Sequence, residues 1–194
     1  RTMLAKRDIG LVQETHLGQL DASTLGKEFP AFHIYRSNLE LHSAGVLTFV
    51  RKTFATQYVV QVVPSGEASR GRVLVLSFRS KLYPDDKRAH FDLANVYFSS
   101  GQGSMMAKAA QIDALNCMDP TVRSVVGGDF NFVQSQADCS GKLSGTCLQG
   151  EARLAWKTLK LKYGLRDIIQ DAHTRFGRGA KRPSSARLDR FYTS

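Results

Sequence analysis

Apolar residues in this chain gather mostly in short β-branched runs rather than at helical spacing. Ile9-Gly10-Leu11-Val12 reads as a strand, and residues 32–35 and 45–50 read as two more, separated by a polar loop. Residues 58–63 and 73–78 are alternating and β-branched, with Pro64-Ser65-Gly66 as the turn between them. Residues 89–98 carry another strand, which ends at Ser99-Ser100-Gly101-Gln102-Gly103. Helical spacing begins at residue 105, continues to 117 and stops at Asp119-Pro120. Residues 122–126 predict a buried strand, and residues 134–150 a loop. Residues 151–163 predict an amphipathic helix with Leu154, Ala155, Leu159 and Leu161 as its apolar stripe and Gly164 as its C-terminal cap. A flexible basic loop is predicted over residues 177–185, and a last strand over 187–193. Many strands with few helices between them predict a single α/β domain over residues 1–194, a sandwich of two facing sheets with helices outside.

Charge narrows the choice of partner. The chain holds 27 Lys and Arg against 17 Asp and Glu, a net charge of +10. That excess favours a polyanion such as DNA, RNA or an anionic surface, although a merely soluble basic protein has the same composition. No apolar run approaches the length of a membrane span, and residues 1–7 have no apolar stretch of the kind a signal peptide needs. Cys117, Cys139 and Cys147 are odd in number and form no CxxC pair. They therefore point to a reducing compartment rather than a disulfide framework, and a zinc site built from Cys139, Cys147 and His173 has little support.

The segment with the most chemistry is Gly127-Gly128-Asp129-Phe130-Asn131. After the buried strand, two glycines are expected to let the backbone turn sharply. An acid and an amide two residues apart then project to the same side. A carboxylate there can take a proton from water, and an amide can hold that water or a phosphate oxygen. A plain strand-end turn has the same residues. Three further segments carry polar residues at strand ends. In Gln13-Glu14-Thr15, Glu14 reads either as a hard-metal ligand or as an exposed loop acid. In Asn95-Val96-Tyr97, Tyr97 reads as a phosphate-binding hydroxyl or as a core-edge aromatic. In Arg187-Leu188-Asp189, Asp189 reads as a site residue or as one half of a salt bridge on a strand face.

In this order the four segments resemble the endonuclease/exonuclease/phosphatase family. Gln13-Glu14-Thr15 is similar to its metal-binding Q-E-T, Ser43-Ala44-Gly45-Val46 to its glycine-led strand, Asn95-Val96-Tyr97 to N-x-Y, residues 127–131 to G-D-x-N, and Arg187-Leu188-Asp189 to R-[LI]-D. The LINE-type retrotransposon branch fits best, through Asp138, residues 164–167, His173-Thr174-Arg175 and residues 187–194. The resemblance implies a four-layered α/β sandwich and metal-assisted phosphodiester cleavage. Glu14 would hold Mg²⁺, or Mn²⁺ in its place. Asp129 would orient or deprotonate water, Asn131 would fix that water or a phosphate oxygen, Tyr97 would contact the scissile phosphate, and Asp189 would orient a catalytic histidine. Thr174 and Ser185 would reach the DNA backbone. Arg175, Arg178, Lys181, Arg182, Arg187 and Arg190 would surround the site with positive charge, unless they form only a solvated loop.

The family's S-x-N motif, ahead of Q-E-T, and its terminal S-D-H motif have no counterpart here. None of His16, His33, His42, His90 and His173 sits in a comparable context. The expectation is a domain lacking the family's first and last strands, with unpaired sheet edges. Two functional readings follow. One is a DNA-nicking endonuclease domain of a LINE-type polyprotein, nuclear in location. The other is an inactive remnant retained as a structural or nucleic-acid-binding subunit among the neighbours of a large assembly. A phosphatase of the same fold is a weaker third, because the strong positive charge suits a polymer better.

Overall fold

The computed structural model describes residues 4, 6–16, 22–37, 44–101, 104–140, 147–170, 172–178 and 183–194. Ser43, Lys181 and Arg182 lie outside this set. The elements in chain order are β1 (Ile9–Val12), α1 (Ala22–Glu28), β2 (Phe32–Ser37), β3 (Val46–Arg51), α2 (Lys52–Ala55), β4 (Tyr58–Val63), β5 (Val73–Ser80), β6 (Phe91–Tyr97), α3 (Met105–Asp113), β7 (Arg123–Asp129), α4 (Gly150–Tyr163), β8 (Arg166–Asp167), β9 (Arg175–Arg178), β10 (Pro183–Ala186) and β11 (Asp189–Thr193).

The near-continuous apolar runs arise because the central strands are buried on both faces. In β5, Leu74, Leu76 and Phe78 point between the two sheets, while Val73 and Val75 point toward the helices. β6 repeats this, with Leu93 and Tyr97 inward and Ala94 and Val96 outward. The larger sheet has the order β4-β5-β6-β7-β11-β8, antiparallel except for the parallel pair β6–β7. The smaller sheet has the order β1-β3-β2 and is antiparallel throughout. Val46 and Val50 of β3 meet the larger sheet, while Leu47 and Phe49 face the other way and pack under Leu25 of α1. α3 and α4 cover the far face of the larger sheet with Ile112, Trp156 and Leu159. The four layers are thus α1, small sheet, large sheet, and α3 with α4.

Four sequence-level expectations change. α1 was not foreseen, because Leu25 is its sole buried anchor among the described side chains, in a Ser-, Thr- and Gly-containing segment of weak helix propensity. The stripe of α4 is Ala152, Trp156, Leu159 and Tyr163; of the predicted set Leu159 is buried and Ala155 packs at its edge, but Leu154 and Leu161 are 66% and 74% exposed. Residues 177–185 are not simply a loop, because β9 and β10 pair antiparallel there. Lastly, Gly127 and Gly128 lie inside β7 and do not form a turn after it. Their small size answers crowding. A Cβ on Gly127 would stand 2.5 Å from the Phe191 ring. A Cβ on Gly128, whose φ is 137°, would stand 2.0 Å from the Val96 carbonyl oxygen. Gly164 does cap α4 as its sequence predicts, in the left-handed conformation.

Candidate active site

Two strand pairings bring the candidate residues into one row. The parallel register of β6 and β7 sets Tyr97 beside Asp129, and the antiparallel register of β7 and β11 sets Asp129 beside Asp189. Adjacent strands lie about 4.8 Å apart, so ladder hydrogen bonds fix the spacing of this row. Glu14 comes from the other sheet, on the segment leaving β1. That segment is tied to the approach of β3 by Thr15 N–H to Gly45 O (3.2 Å) and His16 N–H to Ala44 O (3.1 Å). Glu14 itself has φ 51°, an uncommon conformation for a non-glycine residue. The Tyr97 hydroxyl donates to Glu14 Oε1 at 2.5 Å and so bridges the two sheets. The result is a cleft of about 590 Å³, lined by Gln13, Glu14, Ser100, Asp129, Asn131, Thr174, Leu188 and Asp189.

Each wall of the cleft is braced. Asn95 is fully buried one strand position from Val96. Its amide donates to Leu47 O (2.8 Å) on the small sheet, and its Oδ1 accepts from Gln13 Nε2 (2.7 Å). This side chain rivets the sheets directly behind Glu14. Asp129 Oδ1 accepts the Asn131 N–H at 2.8 Å, and Asn131 Nδ2 donates to Phe98 O at 2.8 Å. With its nitrogen committed, Asn131 keeps its amide oxygen for the cleft. Thr174 Oγ1 accepts from both Leu188 N–H and Asp189 N–H at 3.1 Å, which pins the start of β11 and leaves the hydroxyl proton to donate.

Burial pushes the Tyr97 phenol up to about 12, helped by the bond to Glu14 and the charge of Glu14 and opposed by Arg72. The Arg72 guanidinium lies 4.5 Å from the centre of the Tyr97 ring. Tyr97 is therefore un-ionised near neutral pH and acts as a donor. Behind Asp129 lies Lys108 of α3, 1% exposed. Burial lowers the pKa of its ammonium, and the charge of Asp129 works the other way.

The donor set of the cleft suits a hard divalent cation. Glu14, Asp129, Asp189, Asn131 and Gln13 offer oxygen, and no Lys or Arg is among the described lining residues. Among the described residues no three His, Cys, Asp or Glu side chains come together as a ready-made metal centre. By their chemistry these donors fit a hard cation such as Mg²⁺, which one or two carboxylates would suffice to hold.

No family model matches this chain, and no curated protein matches it. Solved structures do. The endonuclease domain of TRAS1, a telomere-specific non-LTR retrotransposon, superimposes over 100% of this chain and 75% of its own length, with a TM-score of 0.64 and 14% identity. An AP endonuclease from Archaeoglobus fulgidus matches over 99% and 79%, with a TM-score of 0.69 and 18% identity. The chain has the endonuclease/exonuclease/phosphatase fold. A humanized D. rerio TDP2 is similar as well, over 99% of this chain and 72% of its own, with a TM-score of 0.58 and 13% identity.

Within this fold the sequence candidates fall into three groups. Glu14, Asp129, Asn131, Asp189 and Thr174 line the cleft, and Tyr97 stands behind it through Glu14. Arg187 is placed elsewhere. It is buried, bonded to Asp138 Oδ1 through Nε (3.0 Å) and to Asp167 Oδ2 through Nη2 (2.6 Å). Arg190 is 0% exposed and joins the same network through Asp138 Oδ2 (3.0 Å). These arginines are buried and brace the fold rather than facing outward. Ser185 bonds His173 Nδ1 (2.6 Å) and Ser140 Oγ (3.1 Å), away from the cleft lining. Arg175 and Arg178 are placed by their backbone in β9.

Three residues escaped sequence reasoning. Ser100 lines the cleft, and Gln111 bonds both the N–H (2.9 Å) and the hydroxyl (2.8 Å) of Ser99, so it shapes the loop leading to Ser100. Lys108 is the third. The available signal was a pair of polar residues, Lys108 and Gln111, on the same face as Ile112 of α3.

Proposed function

We propose that the cleft hydrolyses phosphodiester bonds with the help of a divalent metal, and that the chain is the DNA-nicking endonuclease unit of a LINE-type retroelement. One observation carries this reading: Glu14, Asp129, Asn131 and Asp189 meet in a single cleft, with Tyr97 bonded to Glu14. The net charge of +10 supports a polyanionic substrate, and the likeness to the TRAS1 endonuclease domain supports the retroelement assignment.

Glu14, with Asp129 or Asp189, would hold the metal, which when bound polarises the phosphoryl group and eases departure of the leaving oxygen. Tyr97 positions Glu14 by its hydroxyl bond. Asn131 presents its oxygen to the attacking water and holds it beside Asp129. Asp129 takes the proton of that water as the new P–O bond forms and the P–O bond to the leaving oxygen breaks. The leaving oxygen takes a proton from solvent, there being no histidine among the described residues that line the cleft. Thr174 keeps a hydroxyl proton for a phosphate oxygen, and its bonds to β11 hold Asp189 in place.

A second reading, a nucleic-acid-binding subunit that does not cleave, is favoured by that same lack of a histidine among the described lining residues. Nicking of supercoiled plasmid separates the two. Open circles that form with Mg²⁺, and fail to form with EDTA or with Asp129→Ala, uphold the enzyme. Plasmid bound but uncut by folded protein upholds the binding subunit.

A further inference from the structure

We propose that the cavity beside α4 is a second ligand site, which takes a small aromatic anion of the nucleoside monophosphate class. The cavity measures about 370 Å³, within the range of small-molecule sites. It backs onto the catalytic cleft across one short segment. Asp129 and Asn131 line the cleft, whereas Phe132, Val133 and Gln134, which follow directly, line the cavity.

Its walls are aromatic. The rings of Phe132 and Trp156 lie 5.8 Å apart at 70°. Its rim is cationic, with Arg153, Lys157 and Lys160 on one side of α4 and no acid among the described lining residues. Asp138 acts on Cys147 and Asp167 on Lys160, and both carboxylates are already paired with Arg187 or Arg190. Lys160 Nζ donates to Gln134 Oε1 (3.1 Å), which leaves Arg153 and Lys157, both exposed, as the mouth of the cavity.

The charge of the mouth decides the sign of the ligand. Trp156 is 4% exposed and lines the cavity, and its Nε1–H is buried with no acceptor among the described residues. Buried indole N–H groups ordinarily find one. The guanidinium of Arg190 lies 5.4 Å from the Phe132 ring centre but is not among the described lining residues, so it only backs the aromatic wall. Cations at the mouth, aromatic walls and an indole N–H in one of them call for a planar ring that carries acceptors and an anionic group. A free mononucleotide and the terminal nucleotide of a strand share that chemistry.

Trp156 is the only tryptophan of the chain, so its fluorescence reports occupancy directly, whether or not the cleft is active. Adenosine monophosphate should change that signal saturably, with a dissociation constant below about 1 mM. Adenosine or inorganic phosphate alone should bind at least about tenfold more weakly. The exposed double variant Arg153→Glu with Lys157→Glu should weaken the monophosphate response by at least about tenfold while its circular dichroism stays native. Bound monophosphate should also slow alkylation of Cys147, another lining residue, in peptide-resolved mass spectrometry. A 5′-phosphorylated oligonucleotide that binds more tightly than the monophosphate assigns the site to a strand end, and the reverse order assigns it to a free nucleotide. The proposal fails if neither ligand gives a saturable response, if adenosine binds as well as its monophosphate, or if the response survives charge reversal in a natively folded variant.

Discussion

Asp189 stands directly across from Asp129 in the register of β11 with β7, and both carboxylates open into the same cleft. Like charges on facing strand positions repel. The site is therefore built at some expense to the protein alone, and a divalent cation held there, as proposed, would relieve it. Mg²⁺ is expected to raise the thermal midpoint, by an amount that grows with the logarithm of its concentration. Asp189→Asn should reduce that rise and leave the metal-free protein at least as stable. Calorimetry with and without EDTA, on both proteins, checks this.

Asp129→Asn keeps an oxygen for the Asn131 N–H bond, so the fold should persist. The proton acceptor is lost, however, and plasmid nicking is expected to fall by roughly a hundredfold to ten-thousandfold. Circular dichroism alongside the nicking rate separates lost chemistry from lost structure.

Tyr97→Phe removes the hydroxyl that holds Glu14. Nicking should drop by about tenfold to a hundredfold, and the Mg²⁺ concentration giving half-maximal activity should rise, because a misplaced ligand binds metal less well. The phenol titrates higher in the folded chain than its ordinary value of 10.0, at about 12. Its share of stability is therefore complete below pH 10 and is lost as the pH climbs toward about 12. Urea melts over that range should fall less steeply for the Phe variant.

The buried network of Asp138 with Arg187 and Arg190 makes a different prediction. Asp138→Asn takes the carboxylate partner from the buried Arg190, while Arg187 keeps Asp167, and is expected to cost about 3–5 kcal/mol in a urea melt at neutral pH. Burial works to raise the pKa of this carboxyl, but the Gln134 N–H and the two arginines more than offset it and hold it below its ordinary 3.8. Its contribution is therefore whole above that value and is lost as the pH falls through the depressed one. The acid limb of the stability curve should be shallower in the Asn variant.

Gly128→Ala asks β7 to accept a methyl group 2.0 Å from the Val96 carbonyl oxygen at φ 137°. Loss of several kcal/mol or failure to fold is expected. Gly150→Ala, where nothing stands within 4 Å of the added carbon, meets only backbone strain at φ 51° and should cost about 1 kcal/mol. Thermal melts of the pair compare crowding with conformation.

Much of this architecture could be read from the chain because β-branched runs mark strands wherever both faces are buried, as in β5 and β6. The cleft residues were legible for the same reason. They sit at strand ends, where apolar patterning stops abruptly on Glu14, Tyr97 and Asp129. Pairing partners were not legible. Nothing in Arg187 or Arg190 announces that Asp138, about fifty residues earlier, will take up their charge, so a basic residue near the site looked like one facing DNA. Lys108 was missed because a lysine inside a helix ordinarily reads as solvated. The wrong stripe for α4 came from ranking Leu above Trp and Tyr as core material, whereas the surrounding rings of Phe130, Phe132 and Tyr192 favour Trp156.

Glu14 belongs to the small sheet, while Asp129 and Asp189 belong to the large one, and Asn95 bonds across the seam. The reacting geometry is therefore a measure of how the two sheets are aligned. A slip of one layer over the other by about an ångström would part the acid of one sheet from the acids of the other, and displacements of that size can reduce rates about a hundredfold. Any partner that grips the outer face of the small sheet, far from the chemistry, holds a brake on it.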